Sequence, residues 1–349
     1  MTIPRYEWQP TTAEIAARAG IARNEVIRFD HNTAPFPPEW AAEAAAVSAP
    51  GLNEYPGADY RPLREAAASL TGLEPAQIVP GAGIDELILL CGRAFLGPGE
   101  RAAAATPTYP LYRIATAQAG ATLREVAAHP PAFAFPEAGI TSVARQIDLL
   151  WLCLPNNPTG TTAEWAQVET AVAACDGIVV IDAAYAEFTD DDWTEAVRRF
   201  QNVVVLRTLS KAFGLAGARV GFAMAHRALI DRIDSLRPPG SISSVSADLA
   251  VLALQRPDRM RRNVTDLVAA RDDLVEKLSG FGWDPVPSAT NFLLLEVGSA
   301  ATDLASRLME RGFVVRTFDY APLEDYLRIT VRTPSQHDRL VAELERILT

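Results

Sequence analysis

Lysine occurs only at Lys211 and Lys277, although lysine and arginine together number 32. Arginine keeps its proton in proteins and cannot serve as an amine nucleophile, whereas lysine can. Lys277 lies in RDDLVEKLSG, where helical spacing and neighbouring acids predict an exposed ion pair. Lys211 lies in TLSKAFGLAG among small and apolar residues. Amine chemistry in this chain therefore points to Lys211, and the reaction open to such an amine is Schiff-base formation with a carbonyl compound.

The elements that must position this lysine are short apolar runs. LLWLCL leads into Pro155, Asn156, Asn157 and Pro158, IVVI leads into Asp182, and VVVL leads into Arg207, Thr208, Leu209, Ser210 and Lys211. Unalternated runs of this kind are buried on both faces of a parallel sheet. Ligands of open α/β sheets bind beyond the carboxyl ends of the strands, so Asn157, Asp182 and Lys211 are expected to meet in one crevice. From about Pro80 to Ala225 the text alternates helix-like stretches with such runs, which predicts a mainly parallel, doubly wound α/β sheet. Residues 1–38 read as an N-terminal arm, 39–237 as a large domain, and 238–349 as a smaller α+β domain.

These residues match what a pyridine aldehyde phosphate requires. Asp182 suits the ring nitrogen, because a carboxylate keeps that nitrogen protonated and able to withdraw electrons. Tyr185 and Asn157 suit the ring oxygen, and Tyr109 in TPTYPLY is placed to stack on the ring. GAGIDELILL offers a tight turn through Gly81 and Gly83 and a helix start at Ile84 and Asp85, where backbone N–H groups bind anions. Ser210 and Arg219 complete the anion site. The same turn opens a dinucleotide motif, but its third glycine position holds Glu86, unfavourable for helix packing and for a pyrophosphate.

Composition excludes other classes. The 349 residues exceed the ~250 to 300 at which single cores stop growing. A net charge of -11 opposes a phosphate-backbone binder, so no nucleic-acid partner is expected. No apolar run approaches the ~20 residues that span a bilayer, and MTIPRYEWQP lacks the regions of a signal peptide, which predicts a cytoplasmic address without membrane contact. Cys91, Cys153 and Cys175 and the four histidines are dispersed, and no metal is expected.

GAGIDE, PTYPLYR, PNNPTG, VIDAAYAEF, TLSKAFGLAGARVGF and YLRITV, in this order, resemble fold-type I pyridoxal-phosphate aminotransferases, most closely the histidinol-phosphate aminotransferase group. The resemblance runs from about Phe29 to the C-terminus. It implies pyridoxal 5'-phosphate as cofactor, Lys211 as its carrier and proton shuttle, and Asp182, Tyr185 and Asn157 around the ring. Gly83, Ile84, Asp85, Ser210 and Arg219 are implied at the phosphate. It further implies that Tyr55 reaches the phosphate of a partner subunit, hence a homodimer, and that Asn32, Arg316 and Arg328 face the substrate. The small-molecule partners implied are an amino donor and a keto acceptor.

The departures are on the substrate side. Thr33 and Ala34 stand where the family commonly has an acid and an asparagine, and Arg332 where glycine is usual, an extra arginine that would favour a more anionic substrate. A second reading keeps the cofactor but breaks another bond, as in threonine-phosphate decarboxylase or an oxidase or cyclase, with His31 and Thr33 placed to redirect it. A third, a cofactor-sensing regulator, needs a DNA-binding module that the short arm does not supply.

Overall fold

The computed structural model describes residues 4–6 and 8–349. Among them are eleven strands: β1 (Ile27–Arg28), β2 (Ile78–Gly81), β3 (Arg101–Thr106), β4 (Thr122–Ala127), β5 (Leu149–Cys153), β6 (Ile178–Asp182), β7 (Val203–Thr208), β8 (Gly221–Ala225), β9 (Phe292–Glu296), β10 (Phe313–Val314) and β11 (Tyr326–Thr330). Seven form one sheet in the order β2-β8-β7-β6-β5-β3-β4, in which only β8 runs against its neighbours. β5, β6 and β7 lie adjacent and parallel at its centre, and their apolar runs are buried almost throughout. This is the expected mainly parallel α/β sheet, with helices contributing to the same large core.

The expected changeover at residue 238 is not where the cores divide. Helix Ser244–Leu254 packs on helices Ala41–Ser48 and Arg61–Thr71, and Leu249, Leu254, Leu267 and Ala270 belong to the large core. Apart from Ile27 and Phe29, the second core draws on the chain from Leu274 onward, so the division falls inside the long helix Pro257–Ser279. That helix is long enough to serve both units, which a boundary drawn from composition does not reveal.

The N-terminal segment is more than an arm. Thr11 caps helix Thr12–Ala19 in a reciprocal pair with Glu14, and β1 pairs in parallel with β10. Ile27 and Phe29 are buried in the second core beside Leu327 and Ile329 of β11. Two apolar residues in a polar, proline-rich stretch carry too weak a period to predict a strand. No helix among the described residues is long and apolar enough to cross a membrane.

Candidate active site

The central strands end where the sequence expects chemistry. Asp182 is the last residue of β6, opposite Cys153 of β5 and Leu206 of β7. It is buried, and its two oxygens accept from Tyr112 Oη at 2.7 Å and from the Ala184 amide at 3.1 Å. Burial lifts its pKa to about 6, against the downward pull of these two donors and of Lys211. Tyr112, three residues after Tyr109, was not singled out from the sequence. It is held face to face with Trp151, centroids 5.4 Å apart, and Trp151 Nε1 donates to Thr116.

Lys211 follows β7 in the loop that returns to β8. Its Nζ lies 5.6 Å from the Tyr185 ring centroid and donates to the His31 carbonyl at 3.4 Å. Burial, followed by the charge of Arg328, lowers its pKa to about 8, with Asp85 opposing. Tyr185 is buried edge-on against Phe292, and its hydroxyl accepts from Asn32 Nδ2 at 3.0 Å. Asn32, expected on the substrate side, spends its amide on Tyr185, while Thr330 donates to its side-chain carbonyl and Asn291 to its backbone carbonyl.

Arg328, on β11, is buried. Nη1 donates to Asn157 Oδ1 and Nη2 to the Asp30 carbonyl at 2.6 Å, while Nε has no partner among the described residues. With its oxygen engaged, Asn157 keeps its amide hydrogens for another acceptor. Arg316 exchanges both backbone hydrogen bonds with Arg328, at 3.0 and 2.9 Å. Directly opposed residues of an antiparallel pair project to one side, so two guanidinium groups stand together. Burial, and after it the charge of Arg316, work against the positive charge on Arg328 and lower its pKa.

The turn that opens helix Gly83–Phe95 is shaped by glycine. Gly83 has φ +82°, and a Cβ there would lie 2.6 Å from Arg219 Nη2. One on Gly221 would lie 2.8 Å from the Arg207 carbonyl and 3.1 Å from the Ile84 nitrogen. Both glycines keep open the first turn of helix Gly83–Phe95, whose leading N–H groups have no helical partner. Asp85 takes Tyr109 Oη on one oxygen at 2.9 Å and Arg219 Nη2 on the other at 2.7 Å. Ser210 is buried and accepts from Thr208 Oγ1 at 3.0 Å. Glu86 turns back to accept from the Ala82 amide at 2.6 Å and from Ser241 at 3.1 Å, which gives it a local capping role. Free helix-start amides, a buried hydroxyl and an arginine around a space a single methyl would fill make a donor set that fits a phosphate.

Beyond the ends of the central strands, hydrogen bonds join Asn32 to Tyr185, Asp85 to Tyr109 and Arg219, and Asn157 to Arg328, and the charges of Arg328, Asp85, Arg219 and Asp182 all act on Lys211. Tyr55 makes none of these contacts: it is 95% exposed. Arg332 is tied to the N-terminal segment. Its guanidinium donates to the carbonyls of Thr33, Ala34 and Pro35, because the N-terminal segment runs directly over it.

Residues 24–344 match the family model described as aminotransferase class I and II. The chain belongs to this family. This aminotransferase is 34% identical over 331 residues to histidinol-phosphate aminotransferase of Ruminiclostridium cellulolyticum, covering 92% of each protein. It is 36% identical to histidinol-phosphate aminotransferase 2 of Archaeoglobus fulgidus, covering 93% of each. The crystal structure of histidinol-phosphate aminotransferase from Sinorhizobium meliloti, in complex with pyridoxal-5'-phosphate, superposes with a TM-score of 0.89 at 26% identity, covering 98% of this chain and 96% of that one. L-threonine-O-3-phosphate decarboxylase from Porphyromonas gingivalis superposes at 0.81 with 22% identity, a likeness of fold alone.

Proposed function

We propose that this aminotransferase moves an amino group from a small donor with an acidic or phosphate group, of the histidinol-phosphate kind, to a keto acid, using pyridoxal 5'-phosphate in the cleft. The observation that carries this is the convergence of one deprotonable lysine, a buried carboxylate, a hydrogen-bonded tyrosine and two adjacent arginines on the strand ends. When bound, the cofactor supplies a sink for electrons released at the donor's α-carbon. In this reading Lys211 ties it, Asp182 faces its ring nitrogen, and Tyr185 and Asn157 face its ring oxygen. Ser210, Arg219 and the amides of Gly83, Ile84 and Asp85 take its phosphate, and Tyr109 lies against the ring.

The chain's own residues then do the proton and anion work. The lowered pKa of Lys211 makes its amine available near neutral pH, to take a proton at one carbon and return it at another. Asn32 donates to Tyr185 Oη and fixes the direction in which its hydroxyl hydrogen points. Arg328 and Arg316 present a guanidinium pair to the donor's acidic group, for which arginine's planar fork is suited. Tyr6 lies edge-on to Tyr109 at 6.2 Å, an aromatic wall that favours a flat side chain such as imidazole.

A homodimer with shared sites is part of the proposal. Helix Ala41–Ser48 contains no buried residue, and its Val47, with Leu52 and Tyr55 further along the chain, stands open. A second copy covering this face would bury them and bring Tyr55 to the neighbouring phosphate cradle. Sedimentation should give twice the 37.7 kDa of one chain, and a monomer at micromolar concentration would contradict it. The three unpaired cysteines support a reducing, cytoplasmic compartment.

Two measurements test the reading. Histidinol phosphate, phenylalanine and arginine, mixed in turn with the holoenzyme, should include a donor that bleaches the visible absorbance of the lysine-bound cofactor. Failure of every donor in a broad panel would overturn it. The rate at which apoprotein captures pyridoxal phosphate should also rise with pH through about 8. The neutral amine is the nucleophile and its pKa is lowered, so the rise comes well below the ordinary lysine value. A profile still rising steeply above pH 10 would show that the cleft does not depress Lys211.

A further inference from the structure

Residues 30–32 bond to Arg328, Lys211 and Tyr185: the Asp30 carbonyl accepts from Arg328, the His31 carbonyl from Lys211, and the Asn32 amide donates to Tyr185. Ala34, Phe36 and Pro38 lie against Gly214 of the lysine loop, where a Cβ would meet them at 3.4 to 3.7 Å. Arg332 holds this strap from the other side. Nη1 donates to the Thr33 and Ala34 carbonyls, both at 3.2 Å, and Nη2 to that of Pro35 at 3.4 Å. Its own amide donates to Nε2 of the buried His337 at 2.9 Å, which fixes the backbone from which it reaches.

We propose that Arg332 is a positioning residue that pins the strap, so that Asn32 stays on Tyr185 when a substrate's acidic group draws Arg328 away from the Asp30 carbonyl. This rests on the substrate role proposed above for Arg328. An anion competes well for Arg328, because a charge-assisted bidentate pair is stronger than a bond to a neutral carbonyl. When Arg328 turns to substrate, the strap loses one of its ties. Arg332 bonds to backbone carbonyls, with the Asp30 carboxylate acting on it through space, and keeps its hold. Its fork spans three consecutive carbonyls, whereas the point charge of a lysine does not.

The test uses holoenzyme carrying Arg332→Ala, Arg332→Lys or Arg332→Gln. Amide hydrogen exchange across residues 29–37 should accelerate by about tenfold or more in all three, with the sheet unchanged. KM for the amino donor should rise by about tenfold and kcat should fall by about threefold or more, because Asn32 loses Tyr185 once the donor holds Arg328, while the cofactor spectrum of the donor-free enzyme stays as in the parent. Dilute guanidinium, but not ammonium, should restore the Arg332→Ala protein. A lysine variant with parental exchange and KM would overturn the proposal, since positive charge alone would then suffice. Unchanged protection of 29–37 in every variant would also overturn it, since the strap would stand without the clamp. If Arg332→Ala does not fold, the lysine and glutamine variants carry the test. The exchange result requires no turnover, so it stands or falls separately from the proposed reaction.

Discussion

Lys211→Ala is expected to lower transamination by at least about 10⁴-fold, the upper end of what a single acid–base group contributes, with the loss of covalent attachment added. Lys211→Arg should be as inactive, because arginine keeps the charge but does not release its proton near neutral pH. Neither change should unfold the protein. Nζ makes one long hydrogen bond, to the His31 carbonyl at 3.4 Å, and its burial as a cation is already unfavourable. Thermal midpoints within a few degrees of the parent are expected. Borohydride treatment should fix the cofactor to the parent enzyme and to neither variant. Activity within tenfold of the parent in Lys211→Ala would remove this lysine from the chemistry.

Asp182→Asn should move activity and stability in opposite directions. Breaking a buried ion pair by removing one partner costs about 3–5 kcal/mol, so loss of the carboxylate from the protonated ring should lower kcat by roughly 10²- to 10⁴-fold. In the apoprotein the same carboxylate is a liability. Its pKa is raised to about 6 from 3.8, so keeping it ionised in the fold costs stability wherever the pH lies above that range. The cost is fully present above about pH 6 and disappears as the pH falls below the unfolded value. The penalty amounts to roughly 3 kcal/mol at pH 7 to 8, part of which the asparagine loses again by accepting only one of the two donors now on Asp182. Apo Asp182→Asn should therefore melt higher than the parent at pH 8, and the gap should close by pH 4. A lower melting temperature at pH 8 would show that Tyr112 and Ala184 compensate the buried charge in full. Cofactor binding should reverse the order, since the ring cation needs the carboxylate.

The division of information is visible in particular residues. Asn157, Asp182 and Lys211 were legible because each follows an unbroken apolar run, and only a strand buried on both faces of a parallel sheet demands such a run. The glycines of GAGIDE were legible because a left-handed turn leaves few alternatives. Tyr112 was not, because a tyrosine on an amphipathic helix has the same text whether its hydroxyl meets solvent or a buried acid. The N-terminal segment was misread as an arm, since β1 is two residues long and its partner strand lies almost 300 positions away.

The chain's amino-acid order by itself determined the sheet, the lysine, the carboxylate and the anion turn, all of which follow from local burial and backbone conformation. Only the tertiary structure decided that Asn32 bonds to Tyr185, that Arg328 bonds to Asn157 and the Asp30 carbonyl, and that Arg332 bonds to the carbonyls of Thr33, Ala34 and Pro35. The reason is physical: a charged side chain is recorded in the sequence as a charge, and what it neutralises, holds or repels is fixed by the groups that folding brings within about 3 Å of it.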